Sequence, residues 1–443
     1  MSEHDVKKTY LDKVCSAVRW KQAHDTIRRE LSDHIEDQAE AFMAEGLSPD
    51  EAMEKAVLEM GDAEEVGYGL DASYRPRDVM GIAVPIAGLV LIGLICRIWV
   101  TNTPVDAKYI AAIIIGAVCA FALYNVNLYK FAKYSGIIFI GGLAVFFFVY
   151  LLSILYNYYF FGFNNPLVYY AACLSPVIYA GLVYSMRDTG IKGLLLCGAA
   201  AAALCLLVLM IPSWTGILSM VVSYLIVLPA AILFGVFGQS KKLYLAVVYC
   251  GVLIAGIVVV YGFSAYLRMR VNMMLNPDIS WQGSIIKGIA ENAKFVGASN
   301  YTAHSMDQNA MLRYLHNAQW DYLITLILYK YGWLSVIALL LVIGNFLLDG
   351  FRRAFRLSST LGKLLACGIM SAFTMQTLSY VVSNLGIFIC APLPLPFIAH
   401  GNTCLVINLA MAGMLLSLLR TDGLYTDAPA GKAKRLKIRF EWK

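Results

Sequence analysis

The sequence predicts an all-α fold: a polytopic membrane bundle of about ten transmembrane helices with a small helical domain ahead of it. The first observation is composition. Of 443 residues, 59% are hydrophobic and 14% charged, and the mean hydropathy is +0.66, whereas soluble domains are about 45–50% apolar and about 25% charged. The second is a set of apolar runs each long enough to cross a bilayer. The third is a division of charge: residues 1–74 hold 18 Asp/Glu against 8 Lys/Arg, net −10, and the rest hold 27 basic against 11 acidic residues, net +16. Three segments follow: a cytoplasmic helical head at 1–74, a membrane body at 75–420 and a basic cytoplasmic tail at 421–443. A nucleic-acid binder is excluded, because the body's Lys and Arg lie in short loops and the tail, where they face lipid headgroups. No apolar h-region follows MSEHDVKKTY, so the head is expected to stay in the cytoplasm.

Within the head, Ile27, Leu31, His34, Ile35 and Phe42 fall near helical spacing across 22–45, and Gly46 stands at the position of a helix-ending glycine. Ser48-Pro49-Asp50-Glu51 reads as N-cap, N1 proline and capping-box glutamate of a helix that runs to Met60 and closes at Gly61. Asp62 to Glu65 repeats the box before a third short helix. His34 among Glu30, Asp33, Glu36 and Asp37 has the types of a metal cluster, but at these spacings acidic residues decorate the solvated face of a helix. The stretch from Leu31 to Leu70 resembles the permease prefix domain found ahead of some bacterial transporters and membrane proteins, which implies a docking or regulatory module.

A membrane helix needs about 20 apolar residues, and such runs lie near 79–100, 108–128, 135–155, 166–186, 190–211, 214–238, 242–267, 321–348, 362–390 and 401–420. An even number returns the C-terminus to the side of the head. Lys and Arg gather in cytoplasmic loops: with the head inside, inner loops hold Lys130, Lys133, Arg187, Lys192, Lys241, Lys242, Arg352, Arg353 and Arg356, while 156–165, 212–213 and 391–400 hold no Lys or Arg. Arg97, close to the outer end of the first span, reads as a snorkelling side chain. Nine of the ten cysteines lie singly in or beside apolar runs, as packing residues do.

The long segment 268–320 is then extracytoplasmic, and its length points to function. Ile285, Ile289, Ala293 and Val296 share one helical face and Lys287, Glu291 and Lys294 the other. That pattern fits a helix in the outer membrane interface and equally a lid packed on the bundle. Ser305 to Gln308 forms another capping box, ahead of a short helix with Met311, Leu312 and Leu315.

Pro394-Leu395-Pro396-Phe397-Ile398-Ala399-His400-Gly401-Asn402-Thr403 resembles the PLPFISYGGS motif of the shape, elongation, division and sporulation proteins, the FtsW/RodA/SpoVE family. Arg270 to Pro277 is similar to that family's R-[IL]-x-x-F-L-N-P, and Asp321-Tyr322-Leu323-Ile324, with Gly332 eleven residues on, keeps the spacing of TDFIFAVIGEELG. The resemblance implies a ten-span peptidoglycan glycosyltransferase that polymerises lipid II at the outer leaflet for division or shape, with a class B penicillin-binding protein as partner. It makes Asp321 the catalytic base, taking the proton of a GlcNAc 4-hydroxyl as that oxygen attacks the anomeric carbon of a second lipid-linked sugar. The departing diphosphate needs cations or a divalent metal, with Arg268 and Arg270 nearest in sequence and Lys287 and Lys294 next. Pro394, Pro396, His400, Asn402 and Thr403, in the matched segment, are the further substrate-binding positions, and Lys330 joins them not from the resemblance but as an ionisable residue expected inside a span. Taken on its own, Asp321 also suits the first turn of a helix.

The chain departs from the family at several polar positions. The QPSExxK loop reads Asn165-Pro166-Leu167-Val168-Tyr169-Tyr170-Ala171, PDLGTA reads Pro212-Ser213-Trp214-Thr215-Gly216-Ile217, and the two glutamates of GEELG are Tyr329 and Lys330. A site built on that Glu and Lys cannot work unchanged. Lys330, expected inside the eighth span, lies on the face opposite Asp321 at about 100° per residue, where it snorkels, meets a polar group of another span or binds an anionic lipid. His400, in place of the family's tyrosine, can donate a hydrogen bond or serve packing. These losses favour a second reading, a non-catalytic relative that binds the lipid precursor or a division partner. A transporter ranks third, because no internal repeat is evident.

Overall fold

The computed structural model describes residues 3–74, 77–101, 104–155, 166–210, 214–262, 281–302, 321–387, 393–399 and 401–423, with residues 269, 272, 276 and 278 between. Every regular element among them is helical, and the described residues form two compact units.

The first unit holds α1 (Glu3–Ala17), α2 (His24–Ala44), α3 (Pro49–Glu59) and α4 (Ala63–Ser73). Tyr10, Leu11, Val14 and Cys15 of α1 meet Ile27, Ile35 and Ala39 of α2, Ala56 of α3 and Ala63 of α4 in one core. The helices expected from the sequence are present, and α1 is an addition: its many charges mask an apolar face that the other three helices cover. Both backbone N–H and hydroxyl of Ser48 donate to the Glu51 carboxylate, at 3.2 and 2.7 Å. Asp62 accepts from the N–H groups of Glu64 and Glu65 at 2.9 and 3.0 Å, satisfying donors that a helix start leaves orphaned. Gly46 and Gly61 take φ of +100° and +82°, the left-handed helix endings their positions predicted. Arg420 to Gly423 also belong to this unit. Arg77 pairs with Asp422 at 2.5 Å, and the Arg420 guanidinium lies over the Trp20 ring, 5.8 Å from its centroid.

The second unit contains α5 (Met80–Ile95), α6 (Ala107–Asn125), α7 (Ser135–Leu155), α8 (Pro166–Ser185), α9 (Gly190–Met210), α10 (Trp214–Leu233) and α11 (Lys241–Gly262). After these come α12 (Trp281–Glu291), α13 (Leu323–Tyr331), α14 (Trp333–Phe355), α15 (Thr360–Asn384) and α16 (Asn402–Arg420). Nine helices among the described residues are long and apolar enough to cross a membrane, and α11, with 22 residues, stands at the seventh expected span. A π-helical turn, Cys96–Val100, extends α5.

α8, α10 and α15 pack on one another at the centre, and α15 is the most enclosed. Inside it, Gln376 Nε2 donates to Asn408 Oδ1 at 3.1 Å and Asn408 Nδ2 returns a bond to Gln376 Oε1 at 3.0 Å. The exchange lets α15 and α16 bury two amides that would be costly alone. Phe397, at φ +64°, is buried between Phe346 and Phe373, with centroids 5.9 and 5.2 Å away. It anchors the segment 393–399 to α14 and α15.

Two expectations are corrected. The eighth span does not run from 321; the crossing helix is α14, and α13 is a separate short helix. Gly332 breaks the chain between them with φ +87°, and a Cβ there would lie 2.6 Å from the Lys294 carbonyl oxygen. Arg97 does not snorkel. It is 2% exposed, its Nη2 meets Asp106 Oδ1 at 2.9 Å, and its guanidinium stacks 4.5 Å from the Tyr109 centroid. A carboxylate and an aromatic face in the following segment offer this charge a better partner than water does.

Candidate functional site

Asp321 stands at the head of α13, half-buried. From Leu323 to Tyr329 every residue of this helix is buried, because three elements surround it. On one side lies α12, whose Ile285, Ile286 and Ile289 form a core with Tyr322 and Tyr329, joined by Tyr301. Of the two arrangements its sequence allowed, α12 takes that of a helix packed on the bundle. It ends at Glu291, so Ala293 and Val296 do not continue its apolar face, and Val296 is exposed.

The stretch after α12 staples the break at Gly332. Gly297 N–H donates to Tyr331 O at 3.0 Å and Ser299 N–H to Tyr329 O at 2.8 Å. In return, Trp333 and Leu334 N–H donate to the carbonyls of Lys294 and Phe295, each at 3.0 Å. The last carbonyls of α13 and the first N–H groups of α14 are thus satisfied by one loop.

On its other side α13 meets the end of α15. Asn384 Nδ2 donates to the Asp321 carbonyl at 2.9 Å, Asn384 Oδ1 accepts from Thr325 N–H at 3.1 Å, and the Tyr380 hydroxyl accepts from Leu323 N–H at 2.9 Å. One turn earlier on α15, the Ser379 hydroxyl accepts from Leu393 N–H at 3.4 Å. One face of α15 therefore carries both the helix of Asp321 and the Pro394–Phe397 segment. Sequence reasoning missed Asn384, Tyr380 and Ser379, although Gln376, Ser379, Tyr380, Ser383 and Asn384 recur at helical spacing inside an apolar span.

The other expected site residues divide. Lys287, on α12, pairs with Asp278 at 2.6 Å, and that hydrogen bond raises its pKa. Gly386, just past α15 at φ +68°, comes close to the Lys287 backbone: a Cβ there would be 3.1 Å from Lys287 Cα. Lys287 thus belongs beside the start of α13. Lys294 has an exposed side chain and takes part in the staple through its carbonyl. Lys330 lies at the far end of α13, roughly 13 Å along the axis from Asp321 at about 1.5 Å per residue. It is not inside a span, and because Asp321 precedes the helix, the expectation of opposite faces does not apply. Its Nζ donates to Val100 O at 2.6 Å.

Pro396 is buried. Pro394 neighbours Gly401, where a Cβ would lie 3.5 Å from Pro394 Cγ. Asn402 and Thr403 open α16; Thr403 is exposed, and Asn402 Oδ1 has no hydrogen-bond partner among the described residues. Arg268, Arg270, His400 and the capping box at 305–308 lie outside the described residues. No three His, Cys, Asp or Glu side chains come together to hold a metal among the described residues.

A family model for FtsW/RodA/SpoVE, described as cell cycle protein, matches residues 167–423. The chain is 29% identical over 164 residues to the probable peptidoglycan glycosyltransferase FtsW of Trichlorobacter lovleyi, an alignment covering 35% of this chain and 41% of that protein. With stage V sporulation protein E of Bacillus subtilis it shares 25% identity over 158 residues, 35% of this chain and 42% of that one. The matched part spans about two fifths of these curated relatives.

Among solved structures, the fold is similar to a chain of a peptidoglycan synthase complex that coordinates polymerization and crosslinking. The TM-score is 0.60 at 16% identity, over 77% of this chain and 98% of that one. It is also similar to the rod shape determining protein RodA of Thermus thermophilus, with TM-score 0.51 at 14% identity, over 78% of this chain and 97% of that one. At these identities the likeness is one of fold.

Proposed function

The chain belongs to the FtsW/RodA/SpoVE family, and from that membership and the setting of Asp321 we propose that it is a peptidoglycan glycosyltransferase acting on lipid II at the outer leaflet. It is an integral protein of the bacterial cytoplasmic membrane. In our reading both termini are cytoplasmic and the 268–320 segment is extracytoplasmic, as the distribution of Lys and Arg supports. Residues 1–74 serve as a cytoplasmic regulatory module, and 421–443 as a basic tail.

The observation that carries the proposal is a carboxylate held half-buried at the head of an enclosed helix, with α12, the helix that carries Lys287, packed against that helix. A carboxylate at that place, half-buried at the head of a helix and beside the 268–320 segment, can accept a proton in the transition state. Asp321 takes the proton of the acceptor's 4-hydroxyl. The oxygen attacks the anomeric carbon of the donor sugar, and the bond to the diphosphate breaks. Lys287, Lys294, Arg268 and Arg270 are the cations we assign to the leaving diphosphate. Lys330, Asn402, Thr403, Pro394, Pro396 and His400 complete the proposed substrate contacts; the unpartnered Oδ1 of Asn402 supports its place among them. A class B penicillin-binding protein is the proposed partner, in division or shape.

A second reading, a non-catalytic relative that binds the precursor, draws on Tyr329 and Lys330 standing where the family carries glutamates. The experiment that separates the two is lipid II polymerisation by the purified protein with a candidate transpeptidase, wild type beside Asp321→Ala. Glycan strands lost in the variant support the enzyme. Lipid II binding without strands from wild type supports the second reading.

A further inference from the structure

We propose that Asn384 is the positioning residue of Asp321: it caps the helix that follows the aspartate and holds the aspartate's own backbone. The inference rests on reading Asp321 as the acting base. A helix start leaves its first N–H groups without partners, and a side chain at the N-cap ordinarily supplies one. The N-cap of α13 is Tyr322, which provides no side-chain cap. The cap comes instead from α15, far away in sequence.

The geometry uses the whole amide. Asn384 Oδ1 accepts from Thr325 N–H at 3.1 Å and lies 3.2 Å from the Thr325 hydroxyl. That hydroxyl is 2.8 Å from the Asn384 carbonyl oxygen. Nδ2 donates to Asp321 O and to Tyr380 O, both at 2.9 Å. An amide offers two donors and one oxygen with two lone pairs, and here each side meets its complement. A flip of the amide would turn Nδ2 toward an N–H donor and Oδ1 toward two carbonyls, so its orientation is determined. Asn384, Thr325 and Tyr380 are all fully buried, where an unmet donor or acceptor is costly. Tyr380 adds the second cap, on Leu323 N–H. The backbone of Asp321 is thereby tied to a central helix of the bundle, and its side chain starts from a fixed point.

The test uses the full-length protein in lipid nanodiscs: wild type, Asp321→Ala, Asn384→Ala, Asn384→Asp and Thr325→Val, each checked for monodispersity. Asn384→Asp is nearly isosteric and keeps the acceptor for Thr325, but when ionised it loses both donors and sets a buried charge against two carbonyls, so Thr325→Val, which leaves the bonds to Asp321 and Tyr380 in place, is the control for folding. Two readouts are taken, backbone hydrogen exchange across residues 321–326 and steady-state polymerisation with lipid II. We expect faster exchange in Asn384→Ala and a fall in kcat of about tenfold or more, since a misplacement of about 1 Å can cost about a hundredfold. KM should stay within about threefold, because ground-state binding is not removed. Asn384→Asp should lower kcat as well, because a carboxylate cannot donate to the Asp321 and Tyr380 carbonyls. Asp321→Ala should lose activity with exchange unchanged.

Unchanged exchange in Asn384→Ala, or kcat within twofold of wild type while exchange rises, overturns the proposal. A wild type that polymerises nothing fails on its own, before any variant is compared. That result removes the base and the catalytic positioning with it, whereas failure of the present inference appears only between wild type and the Asn384 variants.

Discussion

The ammonium of Lys330 donates to the carbonyl oxygen of Val100 at 2.6 Å, tying the end of α13 to the last turn of the first span. Tyr331 makes a parallel contact, its hydroxyl 3.4 Å from Trp99 O. The acceptor is a backbone carbonyl near the C-terminal end of a helix, where partial negative charge collects, so a cation is the fitting residue. Hydrogen bonds to charged groups contribute about 1.5–3 kcal/mol. Lys330→Met is expected to lower the stability of the purified protein by about that much. Lys330→Glu, which restores the family's residue, should be worse, because it sets an acceptor against an acceptor. A thermal-shift comparison decides; a Glu variant as stable as wild type would show that the tether contributes nothing.

The reciprocal bonds between Gln376 and Asn408 predict non-additive substitutions. Removing one amide leaves the other buried beside lipid-facing helices, with the Cys404 sulfur as its remaining polar neighbour. Side-chain hydrogen bonds between membrane helices contribute about 0.6 kcal/mol on average and at most about 1.7. Gln376→Leu and Asn408→Leu should each destabilise by about 1 kcal/mol or more, since each orphans its partner. The double variant should recover part of the loss, and equal additive losses in a double-mutant cycle would refute the coupling.

Much of this architecture is legible in the sequence because it depends on neighbours along the chain. The apolar runs, the Ser48–Glu51 box and the glycine helix endings are local, and each appears near its expected place. What was illegible depends on partners far away. The break at Gly332 needs the carbonyls of Lys294 and Phe295 beside it; from hydropathy alone, 321–348 reads as one continuous span. Arg97 looks like a snorkelling side chain until Asp106 folds back onto it. In the candidate site, Asp321 is legible through its motif spacing, but Asn384 and Tyr380 sit in a different span, outside the segments that carry the resemblance. The polar stripe they form with Gln376 and Ser379 was the one available signal, since polar residues on one face of an apolar helix must meet partners inside the protein.

Gly332 should tolerate no side chain. At φ +87° an L-residue is strained, and a Cβ would lie 2.6 Å from Lys294 O and 2.9 Å from Phe295 O. Both oxygens are acceptors for α14's first N–H groups, so neither can move without breaking the staple. The strain alone costs about 1–3 kcal/mol, and Gly332→Ala is expected to lose at least that much stability. It should also expose the amides of Gly297 and Ser299 to hydrogen exchange. Full protection of those two amides in the variant would mean that the loop does not depend on the break.

The head should lose stability in alkali, and Tyr74 should carry part of the loss. Its hydroxyl donates to Glu30 Oε2 at 2.6 Å; burial first, and then the Glu30 carboxylate, push its pKa from 10.0 up to about 12. In the unfolded chain the phenol ionises near its ordinary value, so between that value and about 12 the unfolded state releases its proton first. Stability is therefore fully present below pH 10 and falls as pH rises toward about 12. Tyr10 and Cys15 are also raised, chiefly by burial, so their loss adds to that of Tyr74. Thermal unfolding of the head's transition in the full chain at alkaline pH should decline with pH in wild type and less steeply in Tyr74→Phe. The phenylalanine keeps the packed ring but has no proton to lose. Identical slopes in the two proteins would mean that the Tyr74–Glu30 bond does not survive in solution.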